Sequence, residues 1–128
     1  MGMSIVLDTN AVLYFLAGRL AEPLPQAEFF VSVITEIELL SYPLLKMEDE
    51  AEIRSFLNDV TIIDLTEKVK HSAIAFRRQY RLKLPDTLIV ATAQWLNAEL
   101  FTNDIKLMNI NELAVKSLLL KALPSLLE

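Results

Sequence analysis

SIVL (4–7) is a short apolar run bounded by polar residues, and NAVLYFLAG (10–18) then carries apolar residues densely enough for a buried helix ending at Gly18. A strand followed by a helix is the expectation. AEPLPQAE (21–28), with its prolines, reads as a loop, and FFVSV (29–33) has the aromatic and β-branched make-up of a second strand. ITEIELLSY (34–42) is expected to be helical and to stop before Pro43. MEDEAEIRSFLNDV (47–60) opens with acidic residues suited to a helix N-terminus, and VTIIDL (60–65) supplies a third strand. TEKVKHSAIAFRRQY (66–80) has Thr66 as N-cap, with Val69, Ala73, Phe76 and Tyr80 at three- and four-residue spacings. DTLIVATAQWLNAE (86–99) is apolar nearly all round, as a helix buried among neighbours would be, and LFT (100–102) is a fourth short strand. The tail NELAVKSLLLKALPSLLE (111–128) fits an edge strand near 114–119 or a helix over the same residues.

Strands alternating with helices imply an α/β fold, a three-layer α/β/α arrangement around a central, mostly parallel sheet with right-handed crossovers. A chain of 128 residues with no internal repeat or linker is expected to form a single domain over 1–128. With 53% apolar residues, 23% charged, two glycines and five prolines, disordered and low-complexity classes are excluded. Cysteine is absent, which removes disulfides, thiolate metal sites and thiol nucleophiles, and makes the cytoplasm the expected location. Every apolar stretch is broken by charge before the ~20 residues of a membrane span, and no export signal is visible. The net charge of −5 argues against coating nucleic acid by charge alone, but not against an enzyme whose carboxylates hold divalent cations.

In parallel α/β sheets, ligands bind beyond the carboxyl ends of the strands, where strand order reverses. Asp8 follows the first strand, Glu38 lies on the helix after the second, Asp86 opens the most buried helix, and Asp104 follows the fourth strand. All four are expected at one edge of the sheet. Each aspartate has a plain alternative as a helix cap: Asp8 (or Thr9 or Asn10) for the first helix, Asp86 after Pro85, Asp104 for IKLM. Together, however, crowded carboxylates repel, so at neutral pH they need shifted pKa values or bound cations. Oxygen ligands with no cysteine and one histidine favour magnesium or manganese over zinc. Glu36 and Glu38 point about 200° apart on a helix, so only one can face a pocket, and periodicity leaves both open.

These stretches resemble the PIN domain family, and within it the VapC-like toxins, small metal-dependent ribonucleases with a Rossmann-like topology. The resemblance rests on LDTN (7–10), SVITEIEL (32–39), LPDTLIVATA (84–93) and LFTND (100–104), which are similar to the family's D-T-N opening, S-x-x-T-x-x-E-L segment, D-x-x-I-x-A-x-A helix and T-N-D turn, in that order. It spans nearly the whole chain, although residues 43–83 match only in general character. It selects Glu38 over Glu36 and implies an acidic quartet of Asp8, Glu38, Asp86 and Asp104 that is both catalytic and metal-binding. Asn10 and Thr102 are implied as supporting residues that orient carboxylates or ligate water. The implied activity is Mg2+- or Mn2+-dependent endoribonuclease cleavage that leaves a 5′-phosphate and a 3′-hydroxyl, in the toxin component of a toxin-antitoxin pair. An antitoxin protein and a homodimer are the implied partners besides RNA.

Positive charge concentrates only in RRQYRLK, where Arg78 and Arg81 are the candidate RNA contacts, with Arg77 and Lys83 beside them. Tyr80 and Trp95 are expected in the core, and His71 on the surface. Leu13, Phe15, Leu16, Leu39, Leu40, Tyr42, Leu44 and Leu45 make the helices around the first loop apolar enough to suggest an interface for an amphipathic antitoxin helix, with core packing as the alternative. Two other functions stay open: a catalytically inert PIN-like binding module, and a phospho-acceptor signalling domain, which DTN fits poorly because it offers one acid in the first loop.

Overall fold

Met3–Leu7 forms β1 in the computed structural model, which describes residues 2–122. Asp8 closes the strand and caps helix α1, Thr9–Leu16, which gives way to Gly18 at φ +69°, a left-handed conformation in which glycine is least strained. Then follow β2 (Ala27–Ser32), α2 (Val33–Leu40), α3 (Met47–Asp59), β3 (Thr61–Ile63), α4 (Glu67–Tyr80), α5 (Leu84–Leu96), β4 (Glu99–Phe101), α6 (Ile105–Met108) and β5 (Val115–Lys116). Thr66 caps α4 as expected, its hydroxyl accepting from the Val69 amide at 3.2 Å.

The five strands form one parallel sheet in the order β3-β2-β1-β4-β5. Connections run from β1 outward to β2 and β3 on one side and return to β4 and β5 on the other, so order reverses between β1 and β4. Alternation along β1 divides the core. Ile5 and Leu7 join Val12, Val31, Leu39, Ile53, Phe56 and Phe101 on the α1 and α3 side. Val6 joins Val69, Phe76, Val90 and Leu100 beneath α4 and α5. Both faces are covered, which is why β1 reads as an unbroken apolar run. The three-layer α/β/α architecture expected from the sequence is the one observed.

Boundaries differ from the sequence reading where local chemistry outweighs pattern. Helix α5 begins two residues early because Pro85 fits its first turn, and it stops at Asn97, which takes a left-handed conformation (φ +51°). Strand β2 starts at Ala27, inside the predicted loop, because it pairs with Met3 of β1. Trp95 is 40% exposed rather than core. Ala91 and Thr87, one and two turns earlier on the same helical face, are fully buried, so the last turn of α5 runs past the packing that covers the earlier ones. Tyr80 is half-buried against the α4–α5 core and donates its hydroxyl to Glu112, while His71 is exposed. In the tail, Val115–Lys116 pairs in parallel with β4, and Leu120 bridges Leu20 antiparallel, so the helical alternative does not hold there; residues 123–128 lie outside the described residues. No helix among the described residues is long and apolar enough to cross a membrane.

Candidate active site

The carboxyl ends of β1 and β4 lie side by side, Leu7 opposite Phe101, and each strand ends in an acidic turn. Asp8 is buried there and does two things at once. Its Oδ1 accepts from the Ala11 amide at 2.7 Å and caps α1, and its Oδ2 accepts from the Thr102 hydroxyl. Thr102, also buried, accepts in turn from the Asp104 amide at 3.0 Å, and Asp104 caps α6 by accepting from the Lys106 amide at 3.0 Å. Capping and gathering are therefore not competing explanations for Asp8 and Asp104. The caps fix where these two carboxylates stand. Asp86, the third residue of α5, caps nothing and is half-buried.

Glu38 reaches the same edge through threonines. Ser32 caps α2 by accepting from the Ile34 amide at 3.2 Å, and Thr35 and Glu38 follow on one helical face, three residues apart. Thr9 Oγ1 donates to Glu38 Oε1 at 2.6 Å and lies 3.0 Å from Thr35 Oγ1. A hydroxyl has one proton to give, so Thr35 must be the donor to Thr9. The chain Thr35 to Thr9 to Glu38 ties α2 to the start of α1 and aims Glu38 toward the turn that carries Asp8. Glu36 takes no part in it. Asn10 is exposed in the first turn of α1, and among the described residues no hydrogen bond joins its side chain to an acidic one. Thr9 and Thr35 thus do the orienting expected of Asn10; both stand inside the quoted motifs, which were the available signal.

The four acids sense one another. Burial raises the pKa of Asp8 above the ordinary aspartate value, and the charges of Asp104 and Asp86 raise it further, against the opposing hydrogen bonds from Thr102 and Ala11. Asp86 is raised by burial, then by Asp104 and Glu38, while Lys83 and Lys106 pull it down. All four carboxylates are therefore linked by like-charge repulsion. As placed, no three acidic or histidine side chains among the described residues converge to hold one ion. The donor chemistry still fits a hard divalent cation, since the four candidates are all carboxylates and Glu38, Asp86 and Asp104 are half-buried rather than sealed in the core.

Asn103, between Thr102 and Asp104, was not singled out in the sequence. Its amide donates to Leu118 O at 3.0 Å and accepts from Leu118 N at 2.6 Å, imitating a strand pair and fastening the tail to the acidic turn. Arg78 and Arg81 are both exposed. Arg81 adjoins Asp86 in a cavity that Arg78 does not line.

Raised carboxyl pKa values mean that the folded chain holds these protons more tightly than the unfolded chain. The stability they contribute is present below the ordinary aspartate range and is lost as pH rises through the raised folded values. Asp86→Asn, which removes one repelling charge without removing a cap, should therefore raise the melting temperature of metal-free protein at pH 7.5 by roughly 2–4 °C. The gain should shrink toward pH 4. A lower melting temperature than wild type at pH 7.5, measured in EDTA, would contradict the electrostatic account.

The PIN domain family model matches residues 5–113. Comparison with curated proteins finds no match. Among solved structures, a toxin-antitoxin complex from Klebsiella pneumoniae is similar at 30% identity, covering 86% of this chain and 95% of that chain, with a TM-score of 0.72. VapBC2 from Rickettsia felis bound to a promoter DNA fragment shares 24% identity over 91% of this chain and 99% of that chain, with a TM-score of 0.76. DNA-bound VapBC from Salmonella typhimurium shares 17% over 90% and 98%, with a TM-score of 0.77. The last two similarities speak to the fold.

Proposed function

The chain belongs to the PIN domain family and is VapC-like in fold, and on that premise we propose that it is a Mg2+- or Mn2+-dependent endoribonuclease acting as the toxin of a toxin-antitoxin pair. The observation that carries this reading is geometric: at the strand-order reversal Asp8 is joined through Thr102 to the Asp104 turn, Thr9 beside Asp8 holds Glu38, and Asp86 lies near enough for its charge to reach Asp8, a set of like charges that a divalent cation would relieve. These four would hold the ion. When bound, it would neutralise phosphate charge and make a water more acidic at neutral pH.

The chain's own residues supply the rest. Thr102 and the Ala11 amide fix the orientation of Asp8, and the Thr35–Thr9 pair fixes Glu38, so little side-chain freedom is lost at the moment of reaction. Burial and neighbouring charge raise the pKa of Asp8 and Asp86, a shift that a bound cation would oppose. Thr102 acts as a positioning residue in this scheme. Asn10, exposed beside Asp8, is available to ligate water, and Arg78 and Arg81 are assigned to RNA backbone contact.

An antitoxin is the proposed protein partner, in keeping with the toxin-antitoxin complex from Klebsiella pneumoniae. A groove of about 270 Å³ lined by Leu13, Leu16, Tyr42, Leu45 and Ile53 suits the apolar face of an amphipathic helix. Of the residues suggested for this interface, Leu39 belongs to the core, whereas Phe15, Tyr42 and Leu44 are exposed. One observation favours the inert binding module instead: the acids do not converge as placed.

Cleavage of a mixed RNA pool, with and without manganese, separates the two. Wild type should cut only with the metal, leaving 5′-phosphate ends, and Asp8→Asn or Asp104→Asn should lower the rate by at least about 100-fold. Calorimetry in buffers of different ionisation enthalpy should show proton release on manganese binding, greater near pH 6 than near pH 8. Absence of both cleavage and manganese binding would leave the inert module. Tyr42→Glu should retain cleavage while escaping inhibition by the co-expressed antitoxin; inhibition equal to wild type would remove the groove from the interface.

A further inference from the structure

At the acidic end of α5 lies a second cavity, of about 320 Å³, lined by Tyr80, Arg81, Leu82, Lys83, Asp86 and Lys106. Three cations from two separate parts of the chain, the α4–α5 turn and α6, therefore share one cavity with a single carboxylate, in a protein whose net charge is −5. Among the described residues, none of the three forms an ion pair within 4 Å. The ion pairs among the described residues are Arg54 with Glu50 and Lys70 with Glu67, each within one exposed helix. Both lysines lie near enough to Asp86 for their charge to reach it.

The backbone adds to this. Arg81 occupies the position just after α4 with φ +54°, a left-handed conformation in which glycine would be least strained. Lys83 takes the N-cap position of α5 with no side-chain hydrogen bond to the helix, so its own charge is not engaged there. A single-stranded RNA backbone carries phosphates on both sides of the one being cut. A second anion-binding cavity beside an acidic centre would hold one of them and set the register of the strand.

We propose that Arg81, Lys83 and Lys106 form a subsite for a non-scissile phosphodiester of the RNA strand, adjacent to the carboxylates. The assignment rests on the nuclease reading and deepens it, naming Lys106, which the sequence did not suggest, and leaving Arg78 outside the subsite. Repulsion from Asp86 is offset by the three cations and falls further once a metal neutralises that carboxylate.

Arg81→Gly, Lys106→Ala and the double variant test it. Arg81→Gly relieves a left-handed residue, so its melting temperature should equal or exceed that of wild type; any loss of RNA binding is then not a folding defect. Each single variant should raise KM for an oligoribonucleotide about fivefold with kcat within about twofold, and should lower the salt slope of binding by about 0.7 per lost contact. Arg78→Ala should change both less. Unchanged KM and salt slope in both single variants, or a loss confined to kcat, would overturn the subsite while leaving the nuclease standing. If wild type binds RNA by fluorescence anisotropy but never cuts it, and the variants bind more weakly, the nuclease reading falls and what stands is an RNA-backbone contact, not a subsite of cleavage. If wild type neither binds nor cuts, both fall.

Discussion

Bringing several carboxylates to one edge of a sheet is opposed by burial and by mutual repulsion, and the polypeptide has to hold them there by other means. Here those means are ordinary backbone and hydroxyl hydrogen bonds. Asp8 is gripped on both oxygens, by the Ala11 amide and by Thr102, and Thr102 is itself engaged by the Asp104 amide. The two central strands thus end in one hydrogen-bonded unit. Much of the surrounding structure serves to keep β1 and β4 adjacent: their register, the apolar layers on both faces, and the tail that Asn103 fastens down. Burial first, and then the neighbouring carboxylates, raises the pKa of Asp8 and Asp86 in that arrangement.

Constraint gives the site a chemical direction. An edge lined with constrained carboxylates favours hard cations over other ligands, and a cation there would itself attract phosphate. The cationic cavity beside Asp86 extends the same logic outward in the proposed reading: negative side chains would hold the ion and positive ones the strand that passes it. Such a division would reconcile an acidic protein with the proposed anionic substrate, because the positive charge is needed only locally.

The layers and the order of elements were legible because both faces of the sheet are covered, so apolar runs and helical spacing carried nearly all of the signal. Asp8, Asp86 and Asp104 were legible because each follows a strand or opens a helix at the same edge, whereas Glu38 lies inside α2 and only the PIN-domain resemblance chose it over Glu36. Their supports were less so. Thr9 and Thr35 act through tertiary hydrogen bonds across 26 residues, which no periodicity reveals. Lys106 gains its meaning from a cavity formed with the distant α4–α5 turn, and Asn103 from a tail whose sequence suits strand and helix equally. Trp95 misled because composition tells that a helix is buried, not where along its length the cover ends.

The account stands on the proposal that Asp8, Glu38, Asp86 and Asp104 share a divalent cation. Anomalous diffraction from crystals soaked in manganese addresses this most directly. The account predicts a manganese peak at the crevice between β1 and β4, within ligating distance of Asp8 and of at least one other of the four, and its absence from Asp8→Asn crystals. Manganese bound only elsewhere, or a peak at the crevice that persists unchanged in Asp8→Asn, would contradict it.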